Sequence, residues 1–285
     1  MKKQLLTFAA LLTVGLIAGC GSGGSTPASV ATVSGKVADG YLKHAEVFLD
    51  RNGTYQWDGV EPETTTDVNG FFSMTVSATD AANFPVVARA IAGTTFDMDT
   101  PSSAIASSYV MSAPAGTSGF ISPMSSLVRE KMTANPAMTM TDAMTQLRNQ
   151  MNLPAGIDMM ADYVAGSQSG PNATQYQAMH ANAQKMAGLM AGLSGQVINN
   201  GSSVNVDRYR SMMGTINSNM PAITANTMGS TFMTGMMSQM QTQLGAMPMS
   251  GGFANYSGMF RNMTSQSNFW SPTGTPITPM SGGMM

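Results

Sequence analysis

Charge is scarce in this chain. Lysine and arginine number 13 and aspartate and glutamate 15 among 285 residues, a charged fraction of 10% where about 25% is usual for a globular protein. Nothing in that balance supplies the basic patch of a nucleic-acid footprint. Histidine occurs only as His44 and His180. His44 falls in a predicted turn and His180 directly follows a stripe residue of a predicted helix, and neither has a partner pattern around it. Each reads as a surface or hydrogen-bonded structural residue. No Gly-x-Ser-x-Gly elbow, His-Glu-x-x-His helix or phosphate loop occurs, and these are the short motifs that would bring a nucleophile, zinc or nucleotide chemistry. The glycine- and serine-rich run after residue 20 is not a phosphate loop, since no strand precedes it and no lysine follows. The expectation is a protein that is not an enzyme. Long apolar runs are missing too. The N-terminal one, residues 5–18, has 14 residues, short of the roughly 20 that a membrane span needs.

What stands at the N-terminus is an address. Lys2 and Lys3 supply positive charge, residues 5–18 are apolar, and small residues precede Cys20, which is the layout of a secretory signal peptide. The segment Ile17-Ala18-Gly19-Cys20 resembles the lipobox of bacterial lipoproteins. That resemblance implies a diacylglyceryl (palmitate-type) group in thioether linkage on Cys20, cleavage just before it and acylation of the new amine. Three chains make release negligible, because each buried methylene contributes roughly 0.8 kcal/mol. Cys20 is the only cysteine. With its thiol taken, no disulfide, cysteine zinc ribbon or thiol nucleophile is available, although the compartment permits disulfides. Loss of the signal with Lys2 and Lys3 moves the formal net charge from −2 to −4. The same resemblance implies a sorting rule in which glycine rather than aspartate after Cys20 favours the outer membrane over the inner.

Two compositions follow. Ten of the 15 acidic residues lie between Asp39 and Asp99, while 26 of the 30 methionines lie from Met124 onward. Residues 1–19 read as signal peptide and 20–32 as a flexible tether. Over 33–112, Val33, Gly35 and Val37, then Ala45, Val47 and Leu49, then Phe72, Met74 and Val76 alternate with polar residues, the period of half-buried strands. Asp67-Val68-Asn69-Gly70 signals a turn, and residues 85–91 and 94–98 add short strands around Gly93. The prediction is a small β-sandwich.

From 120 to 250 the period becomes three and four. Met140, Met144, Leu147 and Met151 form one stripe, and Tyr176, Met179, Ala183, Met186, Met190, Leu193 and Val197 a second. Val206, Tyr209, Met213, Ile216 and Met220 form a third, and Met233, Met236, Met240, Leu244 and Met247 a fourth. Asn205 and Thr141 are expected helix caps. The fold class expected is therefore α+β in two modules: an N-terminal β-sandwich, then a methionine-rich α-helical bundle, with 251–285 a disordered, low-complexity tail.

The β-region resembles carboxypeptidase-regulatory-like and Cna-B-type surface domains. The residues carrying this are Val33-Ser34-Gly35-Lys36-Val37-Ala38-Asp39-Gly40-Tyr41-Leu42, Ala45-Glu46-Val47-Phe48-Leu49-Asp50, Glu61-Pro62 and Thr64-Thr65-Thr66-Asp67-Val68-Asn69-Gly70-Phe71. The wider chain, through Ile121-Ser122-Pro123-Met124-Ser125-Ser126-Leu127-Val128, Asp162-Tyr163-Val164-Ala165 and Tyr176-Gln177-Ala178-Met179-His180, is similar to proteobacterial envelope lipoproteins and adhesin-like proteins. The resemblance covers roughly residues 33–195. It implies spacers, binding platforms or adhesin parts, with leucine common where this chain has Met124, Met159 and Met160.

Two metal readings remain. In 50–61, oxygen-bearing side chains fall at loop positions 1, 3, 5, 7, 9 and 12: Asp50, Asn52, Thr54, Gln56, Asp58 and Glu61. This is calcium-loop spacing, with position 7 using its carbonyl and Glu61 bidentate. Position 6 departs, with Tyr55 where glycine makes the turn. The alternative reading is a copper(I)-binding or oxidant-buffering protein, since thioethers are soft ligands. Met247-Pro248-Met249 and Met284-Met285 lie off the stripes and are its best ligands. Methionine also packs as a plain core residue. The leading expectation is a non-catalytic, lipid-anchored binding or structural protein of the cell envelope, stiffened by calcium. Its partners are the membrane and an envelope protein or surface ligand.

Overall fold

The computed structural model describes residues 29–199 and 203–247. The expected signal peptide, Cys20, Met249, Met284-Met285 and the expected tail lie outside the described residues. The period-two runs form short strands: β1 (Val30–Val37), β2 (Leu42–Lys43), β3 (Glu46–Leu49), β4 (Glu63–Thr65) and β5 (Phe71–Ser77). A short helix, α1 (Ala78–Asn83), precedes β6 (Val86–Ala90), β7 (Phe96–Asp97), β8 (Tyr109–Ala113) and β9 (Phe120–Ile121). Helices then dominate: α2 (Pro123–Ala134), α3 (Met140–Gln150), α4 (Tyr163–Gly166), α5 (Ala173–Gly192) and α6 (Ser194–Val197). After the two-residue strands β10 (Ile198–Asn199) and β11 (Ser203–Val204) come α7 (Val206–Ser218), α8 (Met220–Ala225) and α9 (Thr231–Ala246). The described chain is an α+β mixture with several small sheets.

One sheet has the order β5-β1-β9 and another β4-β3-β6-β8, while β2 pairs with β7 and β10 with β11. In β5 the alternation works as the sequence predicts. Phe72, Met74 and Val76 are buried while Phe71, Ser73 and Thr75 face outward, because successive side chains point to opposite faces. Asp67 Oδ1 accepts from the backbone N–H of Asn69 (2.8 Å) and Phe71 (2.9 Å), and Gly70 takes the left-handed φ of 72° that closes the predicted turn. β1 begins at Val30, inside the stretch that composition assigns to the tether, since Val30, Ala31 and Thr32 pair with Ser77, Val76 and Thr75. The helix α1 was not expected. Ser77 turns the chain into it by accepting from Asp80 N–H (3.0 Å), a side-chain N-cap.

β8 is buried along its whole length because α2 lies against it. Small side chains permit that approach: Ser126 Oγ accepts from Ser112 N–H (2.8 Å), and Ser125 Oγ donates to Ser112 O (2.7 Å). α2 opens with a capping box between Ser122 and Ser125. Asn205 caps α7 as expected, accepting from Arg208 N–H (3.0 Å). The cap expected at Thr141 is instead at Thr139, with Thr141 inside α3. The reason is Asp142, which stands three residues after Thr139. It accepts from the Thr139 hydroxyl (2.7 Å) while its own N–H donates back to Thr139 Oγ1 (3.1 Å), a reciprocal pair that Thr141 cannot make.

The methionine stripes are core. Met179, Met186, Met190, Met213, Met233, Met236 and Met240 are all buried. They belong to one hydrophobic cluster with Val47, Phe72 and Val87 of the strands. In α3 the buried positions are Ala143 and Leu147, whereas Met140 and Met144 pack only partly buried against the cluster. Replacing Met179, Met186 and Met190 with leucine in the full chain should leave it folded, at a cost under about 1.5 kcal/mol per site, read by thermal melting. A copper(I) titration should give no tight complex. A stoichiometric complex that the leucine variant loses would make these thioethers ligands instead of packing.

Candidate functional site

The expected calcium loop connects β3 to β4, and its six oxygen-bearing residues are held in place largely by bonds within the loop. Asp50 Oδ1 accepts from Thr54 N–H (3.0 Å), and Asn52 Oδ1 accepts from Thr54 N–H (3.0 Å) and from the Thr54 hydroxyl (2.6 Å). The Thr54 hydroxyl lies 3.1 Å from the Gln56 carbonyl. Asp58 Oδ1 accepts from Val60 and Glu61 N–H (2.9 and 3.0 Å). Glu61 Oε1 accepts from Arg51 N–H (2.6 Å). Its other oxygen, Oε2, is buried without a hydrogen-bond partner. Burial pushes the Glu61 carboxyl up, Asp58 and Asp50 add to it, and the Arg51 amide opposes. Among the described residues, no group of three or more histidine, cysteine, aspartate or glutamate side chains is arranged to hold a metal ion.

Tyr55, the residue that breaks the loop pattern, takes the left-handed turn regardless, at φ 58°. That backbone costs a non-glycine residue about 1–2 kcal/mol. The offset is packing, because Tyr55 is fully buried, and enclosing a large side chain contributes about 3 kcal/mol. Its ring lies 4.5 Å from that of Tyr209 on α7 and 4.2 Å beneath the Arg129 guanidinium of α2. Its hydroxyl donates to Glu130 Oε1. The loop is thereby pinned into the helical part of the chain.

Around Tyr55 sits a buried set of charges that periodicity alone would not place inside. Arg129 Nη2 donates to Asp50 Oδ2 (2.7 Å), and Arg210 Nε stands 3.9 Å from Glu130 Oε2. Burial drives the Glu130 carboxyl up while Arg129, the Tyr55 hydroxyl and Arg210 hold it down. Next along α2, Lys131 is buried with its amine 3.3 Å from Gln146 Oε1, and burial lowers it to about 8. Asp50 is thus an ion-pair partner as well as the first position of the loop. The sequence signal was faint: a charged Arg-Glu-Lys run following the apolar Leu127-Val128.

His44 occupies a turn at φ 60°, as the sequence suggests. His180 is half-buried and meets Asp99 Oδ2 at 2.7 Å, a partner 81 residues away that spacing could not reveal. Met247, head of the Met-Pro-Met segment, is buried at the end of α9, where its carbonyl accepts from Arg208. No helix among the described residues is long and apolar enough to cross a membrane. Compared with known proteins, the chain matches no family profile, no curated sequence and no solved structure.

The buried pair sets a stability test. Asp50→Ala removes the carboxylate bonded to Arg129, with Glu130 still beside it, and should cost about 3–5 kcal/mol, the usual penalty for breaking a buried pair from one side, measured by urea unfolding. Asp50→Asn, which keeps an acceptor for Arg129 or for Thr54 N–H, should lose distinctly less than Asp50→Ala. Equal losses would show that these bonds are not what anchors the loop.

Proposed function

We propose that the chain is a lipid-anchored protein of the cell envelope whose folded body is a non-catalytic binding or structural unit. The observation that carries this is the N-terminal series Lys2-Lys3, the apolar residues 5–18 and Ile17-Ala18-Gly19-Cys20. Only a cysteine can form the thioether such a segment calls for, and the chain has one cysteine, at that place. A glycine- and serine-rich stretch follows it, suited to holding a body at some distance from a membrane surface. The finer organisation belongs to the same reading: a β-sandwich like those of carboxypeptidase-regulatory-like and Cna-B-type domains, followed by a methionine-rich bundle. The Tyr55 insertion supports a body in which the two parts act together. The partner is an envelope protein or surface ligand, and the outer membrane is the preferred site.

The anchoring step is tested first. Cys20→Ser should abolish incorporation of labelled palmitate and leave an uncleaved precursor in the cells. The same mature, membrane-bound species from that variant would remove the foundation of this reading.

Calcium stiffening of loop 50–61 is the second element. What supports it is the side-chain series Asp50, Asn52, Thr54, Gln56, Asp58 and Glu61, together with a buried, unpartnered Glu61 Oε2 on a carboxyl that burial first, and then Asp58 and Asp50, push toward protonation. A cation would relieve that repulsion. Because Asp50 also serves Arg129, affinity should be weak, on the order of 10⁻⁴–10⁻³ M, as in extracellular modules. Calcium at about 100 times the dissociation constant then adds about 2.7 kcal/mol. The melting temperature should rise in calcium, less in magnesium, and Glu61→Gln should remove most of the rise. An unchanged melting curve in about 10 mM calcium would leave a hydrogen-bonded acidic loop and nothing more.

A further inference from the structure

Among the described residues, the two most exposed large apolar side chains lie at one end of the β-strands. Val60, in loop 50–61, is 78% exposed, and Val30, at the start of β1, is 70% exposed. A chain of contacts makes that end continuous. Val30 pairs with Ser77, just before α1, and Leu49 pairs with Val86, just after it. At the head of α1, Ala78 N–H donates to Ser29 O (2.8 Å). Asp80 of α1 pairs with Arg51 of the loop (2.5 Å). Beyond the foot of α1, Pro85 O accepts from Asp50 N–H (3.0 Å).

The loop is built so that Val60 stands outward. Asp58 Oδ1 accepts the N–H of both Val60 and Glu61 (2.9 and 3.0 Å). Gly59 turns at φ 86° with open space on its bare face. Val60 thus sits on a turn whose amides at 60 and 61 are already bonded, which spares them the cost of leaving water unpaired. At the other side of the loop Tyr55 is buried, so the tip is held on a fixed base.

We propose that this end of the body, formed by Val30, α1 and the tip of loop 50–61, lies against the lipid surface, with Val60 entering the boundary between headgroups and acyl chains. The proposal rests on the lipid-anchor reading of Cys20. Nine residues separate Cys20 from Val30, and a stretch of that length spans at most about 30 Å. The body is therefore joined to the membrane at this end and through a short connection. The other exposed apolar pair, Val68 and Phe71, belongs to the opposite end. Phe71 pairs with Lys36, about 20 Å along β1 from Val30. A short connection keeps the near surface at high local concentration, so a contact too weak to hold a free body suffices here. The charges favour an apolar contact over an ionic one. Arg51 is tied to Asp80, while Asp58 and Glu63 are exposed. Anionic lipid should repel this end, and zwitterionic lipid should accept it.

The test uses the full lipoprotein, extracted from membranes and reconstituted into phosphatidylcholine vesicles that carry a nitroxide-labelled lipid as quencher. Because the proposed thioether occupies Cys20, the only cysteine, one fluorophore can be placed through Val60→Cys, Ala82→Cys or Val68→Cys, all at exposed positions. Labels at 60 and 82 should be strongly quenched and the label at 68 little. Adding phosphatidylglycerol should weaken the quenching at 60 and 82. Val60→Asp should leave the melting temperature unchanged and remove the quenching at 82. Equal quenching at all three positions would overturn the proposed orientation and leave the anchor intact. So would labels at 60 and 82 that stay in water while the chain floats with the vesicles, or quenching that grows with phosphatidylglycerol. A chain that does not float with the vesicles would remove the anchor and the orientation together.

Discussion

The insertion of Tyr55 into the helical part of the chain is the constraint on which the rest of the arrangement turns. A loop between β3 and β4 would ordinarily project into solvent. Here it accepts a left-handed tyrosine at φ 58° so that the ring can lie between Tyr209 and Arg129. Once the ring is there, its hydroxyl must find a buried acceptor, which Glu130 provides. Glu130 in turn needs positive charge nearby, supplied by Arg129 and Arg210. Arg129 then needs Asp50, at the start of the same loop. Each buried group obliges the next, because an unpaired charge in a low-dielectric interior is costly. The closed circuit fixes the loop, α2 and α7 relative to one another.

Around that circuit the packing is adaptable rather than rigidly shaped. The core of the helical part is built from unbranched methionines, which fill irregular gaps, with Ala183 and Ala187 of α5 admitting close neighbours. Where shape must be exact, small residues are used: Ser112, Ser125 and Ser126 at the β8–α2 contact. Gly35 does the same, since a side chain there would collide with the Ser118 carbonyl. Soft packing joined to a few obligatory polar contacts lets the core adapt locally while the buried charges keep the chain in one form.

The two carboxylate regions make different use of similar chemistry. Loop 50–61 distributes its acids over its own backbone amides, so most of their lone pairs are satisfied locally. Asp99 leans instead on α5, a helix that arrives later in the chain, and in each region one carboxylate oxygen is buried without a partner, Glu61 Oε2 in the loop and Asp39 Oδ1 beside Gly40. The first region is anchored by a buried ion circuit, and the second joins its elements through the bonds of His180 and Gln184 to Asp99.

Local chemistry was legible in the sequence. Period-two runs marked β1, β3 and β5, the Asp67–Gly70 signal marked its turn, and Asn205 marked the start of α7, because alternation, turn and cap are set within a few residues. Three-four spacing marked the methionine faces of α5, α7 and α9 as buried for the same reason, while Met140 and Met144 of α3 are only partly so. The cap on α3 was misplaced at Thr141 because Thr139 and Thr141 are alike until Asp142 is counted as the third residue of a capping box. The proposed address at Cys20 rests on sequence alone. Tertiary structure decided the rest. Tyr55 reads as a poor loop residue until Tyr209 and Glu130 arrive from 154 and 75 positions away. Arg129-Glu130-Lys131 reads as a solvated run until burial shows that it faces inward. His180 has no partner until Asp99 is folded against it, and Asp39 looks like an ordinary turn acid. Such pairings join residues far apart in the chain, and their energies exist only when the surrounding core removes water, which no local pattern records.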